Sequence, residues 1–391
     1  MDTNSVLRSK ENTVGYRRRG PLKVLCLTAT ALAAVTAVAA CGSSGSSSTT
    51  AASTGQASSG QASSGKSLSL SSVTVVGNFA TGFAPLWVAQ SEGYFKDQGL
   101  NVTLKDLNTG GATGAVTALL GGTGQFLVVA AGATSLAVSG GAPIKAVMQS
   151  DFAPIQQVAI TSSVAAKAGI AASASTAAGT EAQIKALKGS HIKLATTSKS
   201  GNSYIILQAV LHQYGLTTGA GGDVTVETEP SSSVQESLLK SGQVDGIVNA
   251  PPVTTQPGTA LVELDKVPPV SEALSDLVST TSSMVSAHPD TVQAFVRAVT
   301  QGAEWIQSHP SQVVSALSPL YQADGITDSA TVKYLATEQA AHIGPSRVIT
   351  ESAYNNTVAM GNLANPATPV KAAFASWIDN TFAENAAKTN G

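Results

Sequence analysis

Cysteine, arginine and charge are scarce in this 391-residue sequence. Its two cysteines are Cys26 and Cys41. Cys26 sits inside an apolar leader and Cys41 at its end. The chain beyond Cys41 holds no thiol, which excludes a disulfide, a cysteine-based metal site and thiol catalysis there. Beyond Cys41 only two arginines remain, Arg297 and Arg347. A multiply charged anion recruits arginine forks, so this shortage favours a neutral, zwitterionic or singly charged ligand. Arg297, on a helical stretch, reads as a solvated face, and Arg347, in Gly344-Pro345-Ser346, as a loop charge. Charged residues make up 12% against 43% hydrophobic, a balance that suits a globular chain and argues against a disordered one. The five histidines (His191, His212, His288, His309, His342) are dispersed, none at metal-ligand spacing. No nucleophile elbow, phosphate loop or dinucleotide fingerprint stands at a strand–helix junction. The expectation is a chain with no catalytic residues, no metal and no cofactor.

Charge is also unevenly placed. Six of the 22 basic and two of the 24 acidic residues precede Cys41, leaving a net charge of −6 beyond it. Such a surface is a poor nucleic-acid partner. The basic stretch Arg17 to Lys23 followed by the apolar run Val24 to Ala40 has a signal-peptide pattern, expected over residues 1–40. Val38-Ala39-Ala40-Cys41 resembles a bacterial lipobox, in which small residues admit the peptidase and Cys41 takes the lipid. Arg18-Arg19 also resembles a twin-arginine signal, with Pro21 where an aromatic belongs. An uncleaved membrane helix is the structural alternative, since the run is nearly long enough. Residues 41–66 are Ser, Gly, Thr, Ala and Gln, with GQASS repeated. They bury no core and read as a flexible tether. About 25 such residues reach roughly 25–30 Å.

From Leu68 the chain alternates short strands and helices, which argues α/β with a parallel sheet. Val73–Val76, Asn101–Leu107, Phe126–Ala130 and Ile144–Met148 read as strands. Pro85 suits the first turn of a helix after the loop Asn78–Ala84. Ser162–Thr180 has little pattern and reads as a surface insertion. Ile192–Ala195, Val224–Thr228 and the stretch around Ile247 repeat the strand logic, with helices at Tyr204–Tyr214 and Ser231–Lys240. Met284-Val285 reads as a return crossing. Helices are expected at Val292–Gln307, Val313–Leu317, Ser329–Ala341, Glu351–Met360 and Val370–Ala386. Asp245 reads as a structural hydrogen-bonder.

Several of these stretches carry a resemblance. GFAPLWVA at Gly82 to Ala89 with EGYFKDQGLNV at Glu92 to Val102 resembles the amino-terminal signature of ABC-transporter substrate-binding proteins. The subgroup is the one for nitrate, sulfonates, taurine and thiamine-pyrimidine precursors. ALLGGTGQFLVVAAGATSLAVSGGAPIKAV, LKGSHIKLATTSKSGNSYIILQAVL and SGQVDGIVNAPP resemble its later blocks, with Gln125 where an aspartate is usual. The resemblance spans Val73 to about Leu320. It implies a two-lobed α/β fold of the periplasmic-binding-protein kind (type II), each lobe a sheet flanked by helices, joined by hinge crossovers. Lobe 1 is expected over 67–160 and 285–391, and lobe 2 over 161–284. Implied with it are a small-molecule solute, an ABC permease with its ATPase, an extracytoplasmic location and a membrane anchor through the lipid on Cys41, the protein being a monomer.

Ligands of open α/β sheets gather at the carboxyl ends of strands. The loops placed there are candidates: Gly82 and Phe83, Gly110 and Gly111, Ala131 and Gly132, Ser198, Ser200, Gly201, Asn202 and Ser203, and Asn249. Glycine and helix N-termini let backbone N–H groups approach a ligand. Each has a bland reading: Asn202 or Ser203 as a helix cap, Phe83 as core, Gly82 as a turn former. Phe83 and Trp87 also offer a stacking wall, and Tyr204 a further contact. Two other readings remain open: an enzyme on the same fold, akin to a pyrimidine-precursor synthase, and a surface lipoprotein without a small ligand.

Overall fold

The computed structural model describes residues 67–389, apart from 78–80, 108–110, 175, 200, 230 and 324. The expected signal peptide, the tether and Cys41 lie outside the described residues, as do Gly110 and Ser200.

Among the described residues, ten strands form two five-stranded sheets. They are β1 (Ser72–Gly77), β2 (Asn101–Asp106), β3 (Phe126–Ala130), β4 (Ile144–Gln149), β5 (Gln157–Thr161), β6 (Ile192–Thr196), β7 (Val224–Thr228), β8 (Gly246–Asn249), β9 (Thr259–Glu263) and β10 (Asp276–Thr281). The first sheet runs β2-β1-β3-β10-β4 and the second β7-β6-β8-β5-β9.

The sheets are mixed, not parallel as expected. β5 pairs antiparallel with β8 and β9, and β10 antiparallel with β3 and β4. Direction follows from the route of the chain. It leaves β4 at the carboxyl edge of the first sheet and enters the second from that same edge. The strand that receives it must therefore run away from the edge. β10 does the same on the way back.

Pairing also moves the crossings. β5 belongs to the second sheet and β10 to the first, so the chain crosses within 150–156 and 264–275, earlier than the expected boundaries at 160 and 285. Met284 and Val285 lie in a helix, Ser282–Ala287, beyond the return. Ser162–Thr180 is no surface insertion. It carries helix Ser162–Ala168 and the start of helix Ala177–Lys185. Ala165 and Ile170 join the second core, since each helix needs an apolar face buried.

Each sheet has its own core. Val75, Phe126 and Val128 of the first sheet pack with Phe295 and Val299 of the long helix Pro289–Ser308. The Phe295 ring stacks on Phe126 with centroids 3.9 Å apart and on Phe95 at 5.3 Å. Gly302 on that helix meets helix Ala84–Ser91, where a Cβ would collide with the Pro85 carbonyl. The second core gathers Ile160, Leu194, Val210 and Val248.

Beyond residue 310 the helices Val313–Ala323 and Ser329–Ala341 pack on helices Ala84–Ser91 and Pro289–Ser308, while Glu351–Ala364 packs on the β4–β10 side of the first sheet and, through Met360, on Ala209 of helix Asn202–Gln213. Asp328 and Thr350 cap helices Ser329–Ala341 and Glu351–Ala364 by accepting from Thr331 and Ala353 amides. The expected helix Val370–Ala386 is broken into Phe374–Trp377 and Thr381–Thr389. Ile378 bridges to Ala146 of β4 instead, and the Asp379 amide donates to the Ala146 carbonyl at 2.8 Å. Gln125 serves where an aspartate was expected: its Oε1 accepts from the Thr74 amide at 2.8 Å. Asp245 is structural, accepting from the Lys193 amide.

Candidate functional site

The carboxyl ends of β3, β6 and β8 converge on two adjoining cavities of about 410 and 940 Å³. Ala130 at the end of β3, Thr197 after β6, Asn249 at the end of β8 and Asp276 at the start of β10 all line the smaller one. Asp276 stands opposite Ala130 in the register, so the antiparallel strand delivers its first residue to the same edge. Gln156, just before β5, lines this cavity too.

Two helices aim their N-termini at this place, one from each sheet. Helix Ala131–Ser139 follows β3 directly, and helix Asn202–Gln213 follows the loop after β6. Neither has a side-chain cap. The Ala131 amide is taken by the Ser275 carbonyl; the N–H groups that follow in each first turn can meet an acceptor atom, with the helix dipole adding to the attraction. Gly132 and Asn202 face each other: a Cβ built on Gly132 lies 3.8 Å from Asn202 Oδ1. Gly201 is required by its neighbour, since a Cβ there would overlap the Thr197 hydroxyl.

Among the expected site residues, Gly201 and Asn202 line both cavities, Gly111, Gly132 and Ser198 the larger, and Asn249 the smaller. Asn249 is partly committed elsewhere: its Nδ2 donates to Gln235 Oε1 at 3.1 Å and its Oδ1 accepts from the Ala250 amide. The other described candidates do not reach the cavities. The Gly82 amide donates to Asp276 Oδ2 at 3.0 Å and its carbonyl accepts from Ser150 Oγ. A side chain at 82 would collide with Asp276, so this glycine positions the carboxylate and leaves no free N–H for a ligand. Phe83 is fully buried in the first core, not a stacking wall. Ala131 is buried and gives its amide to the Ser275 carbonyl, and Ser203 is buried inside the first turn of its helix. Trp87 packs with the C-terminal helices, its Nε1 donating to the Ala316 carbonyl.

Sequence reasoning missed Thr197, Gln156, Asp276, Tyr321 and Glu338, which also line the smaller cavity. Thr197 was adjacent to a candidate loop. The others come from crossing segments and C-terminal helices, where no local motif points inward.

Arg347 does lie in a loop, as expected, but as a buried charge. It is 5% exposed, and its guanidinium donates to the Ser150 and Gly344 carbonyls, fixing the first crossing. Burial pushes its pKa down to about 10, against the pull of Asp151 and Glu304. Arg297 is half-buried, not on a solvated face. Behind the cavity, a charged bridge joins the two halves. Lys266 Nζ lies 3.0 Å from Asp265 Oδ2 and 3.6 Å from Glu338 Oε2, and His342 Nε2 lies 3.3 Å from Asp265 Oδ2. Among the described residues no group of three or more His, Cys, Asp or Glu is placed to hold a metal, and no helix is long and apolar enough to cross a membrane.

A family model described as "NMT1/THI5 like" matches residues 80–313. No curated protein matches the chain. Solved structures do. The ligand-binding component of an ABC-type import system from Staphylococcus aureus, with zinc bound, superposes with a TM-score of 0.60 at 13% identity, covering 81% of this chain and 99% of that one. The putative periplasmic sulfonate-binding protein SsuA from Methylobacillus flagellatus KT gives 0.60 at 15% identity, covering 82% and 95%. The periplasmic nitrate-binding protein NrtA from Synechocystis PCC 6803 gives 0.56 at 11% identity, covering 83% and 90%. At such identities the likeness is one of fold, and it is the two-lobed binding-protein fold that the sequence motifs implied.

Proposed function

Since the chain belongs to the NMT1/THI5-like family, we propose that it is a solute-binding protein of an ABC importer, holding a small organic solute between its two sheets. One observation carries this reading: loops from both sheets, with an uncapped helix N-terminus from each, meet over shared cavities. A solute there is held by both halves at once, so binding draws them together about the crossings at 150–156 and 264–275. Gly111, Gly132, Ser198, Gly201, Asn202 and Asn249 make the contacts, mainly through neutral donors.

The leader and the fold neighbours supply the remainder. A lipid on Cys41 anchors the protein outside the membrane, the Ser/Gly stretch tethers it, and a permease with its ATPase receives the solute. Sulfonate, taurine and nitrate, or a pyrimidine precursor, are the starting solutes, because the structural relatives include proteins for sulfonate and nitrate. The test is small-angle scattering of the tagless protein with and without a fractionated cell extract. A solute-dependent fall in the radius of gyration, with a rise in melting temperature, is expected. An unchanged radius and melting temperature with every fraction would overturn the assignment.

A further inference from the structure

The larger cavity exceeds what a simple anion needs. Its volume of about 940 Å³ stands at the upper end of the range, about 300–1,000 Å³, that encloses drug-sized ligands. Its wall is largely apolar. Val116 of helix Gly111–Leu120, Leu136 of helix Ala131–Ser139, Ile205 of helix Asn202–Gln213, Leu274 of the return crossing and Met360 of helix Glu351–Ala364 all line it. Among the described residues Lys199 is the one charged residue of this lining.

The C-terminal chain walls one side. Asn365, Thr368 and Val370 line the cavity, and the segment is tied to both halves. Asn365 Nδ2 donates to the Lys199 carbonyl at 2.9 Å, on the loop after β6. The Lys371 and Ala372 amides donate to Ser139 Oγ at 2.8 and 3.0 Å, on the helix after β3.

Gly361 is a second observation, independent of the wall's polarity. It lies inside helix Glu351–Ala364, where glycine is a poor choice against alanine. No neighbour requires it there, since a Cβ would meet nothing within 4 Å. Gly302 and Gly201 differ, each being held to glycine by an atom that a Cβ would strike. Gly361 lines the larger cavity, so its missing side chain leaves room inside. Leu136 agrees. It is 41% exposed, and of the large apolar residues exposed among the described ones it alone lines either cavity.

Small solutes match this wall poorly. Nitrate or a two-carbon sulfonate has little or no hydrocarbon to lay on Leu136, Val116 and Met360, and leaves them wet. A ring or branched carbon body takes that surface out of water, a gain that grows with the area covered.

Resting on the solute-binding reading, we infer that the larger cavity holds the hydrocarbon body of the solute. The solute is then a neutral or singly charged organic molecule with a ring-sized apolar part, and Leu136 and Gly361 set its fit.

The experiment is fluorescence titration of the full chain, exhaustively dialysed, with N-phenyl-1-naphthylamine, a neutral probe that brightens in apolar surroundings. Aniline is the small-ring competitor, and nitrate and ethanesulfonate are titrated by calorimetry. The proteins are the wild type, Leu136→Asn, Gly361→Trp and Leu120→Asn. Leu120 is 44% exposed and lines neither cavity, so it controls for adsorption to the surface. Melting curves check that each variant folds. The wild type is expected to bind the probe at one site. Leu136→Asn should weaken it about tenfold, as for one lost leucine contact, and Leu120→Asn should leave it unchanged. Gly361→Trp should cut the preference for the probe over aniline by about tenfold, because the ring overfills the space. Equal weakening in Leu120→Asn, or a probe indifferent to both cavity variants, would overturn the inference and leave solute binding intact. So would a wild type that ignores the probe yet binds nitrate or ethanesulfonate, or closes on an extract fraction. If neither probe nor anion binds and no fraction changes the radius of gyration, the functional reading itself fails.

Discussion

Replacing His342 by leucine removes the titratable member of the bridge between the two halves. His342 Nδ1 lies 2.8 Å from the Glu338 carbonyl, and Nε2 lies 3.3 Å from Asp265 Oδ2. A carbonyl and a carboxylate only accept, so the two contacts favour the ring with both nitrogens protonated. Burial alone would push its pKa down. The hydrogen bonds to Asp265 and to the Glu338 carbonyl more than offset that, and the net shift is upward. For Asp265, burial pushes up, but the His342 bond and the Lys266 charge hold it below its ordinary value. Lys266 is itself raised: Asp265, Glu338 and Glu263 outweigh its desolvation. Burial raises Glu263.

The folded state therefore binds the His342 proton more tightly than the unfolded chain. Its stabilisation is complete below the ordinary histidine pKa of about 6.5 and is lost as pH rises through the elevated folded value. Asp265 has the opposite sign: its share is present above its ordinary carboxylate value and fades as pH falls through the depressed one. A hydrogen bond to a charged group is worth about 1.5–3 kcal/mol. Lys266, 3.0 Å from Asp265, partners that carboxylate independently of His342, so the lower half of that range applies. Urea unfolding of wild type and His342→Leu, at about pH 6 and about pH 9, reads the difference. The wild type should lead by about 1.5–2 kcal/mol at the lower pH, and the gap should shrink at the higher. An equal gap at both would refute the imidazolium bridge.

Packing and acid titration set three more outcomes. Phe83→Ala should cost about 3–5 kcal/mol in chemical denaturation, because the ring is fully buried, with little change in the affinity of the folded fraction for a solute. Gly302→Ala should lower the melting temperature even though alanine favours a helix by about 1 kcal/mol. The collision with the Pro85 carbonyl costs about 1–3 kcal/mol or more, and a raised melting temperature would contradict the close helix contact. Asp223 accepts from the Thr217 and Gly189 amides and the Thr217 hydroxyl, and lies 3.2 Å from Lys188 Nζ, which holds its carboxyl far below the usual range. Its stabilisation is present above the ordinary carboxylate pKa and lost as pH falls through the depressed one, so Asp223→Asn should show a shallower loss of stability on acidification than the wild type.

Much of the fold was legible because local signals and tertiary demands agreed. Val73–Val76 and Phe126–Ala130 are β-branched or apolar runs between helix signals, and they became the centre of the first sheet. Pro85 marked a helix start that the packing kept. The antiparallel strands β5, β9 and β10 were not legible. QVAIT, TALVE and DLVSTT carry strand-like residues, but which sheet each joins depends on where the chain crosses, a non-local matter. The site was half legible for a similar reason. Gly132, Gly201 and Asn202 sit at helix starts after strands, which a sequence displays. Asp276 and Glu338 enter from a return strand and a distant helix. Gly82 and Phe83 misled because their motif position is near the cleft, while their atoms serve Asp276 and the core.

The most direct measurement is of what the folded protein carries. Ala133 lines both cavities, so Ala133→Trp fills the space without touching either core. Wild type and variant are purified without tags from the same extract, desalted, and compared by mass spectrometry under native and then denaturing conditions. One small molecule released per wild-type chain and none from the variant, both folded, is the expected result. Equal release from the two, or none from a wild type exposed to every extract fraction, would contradict it.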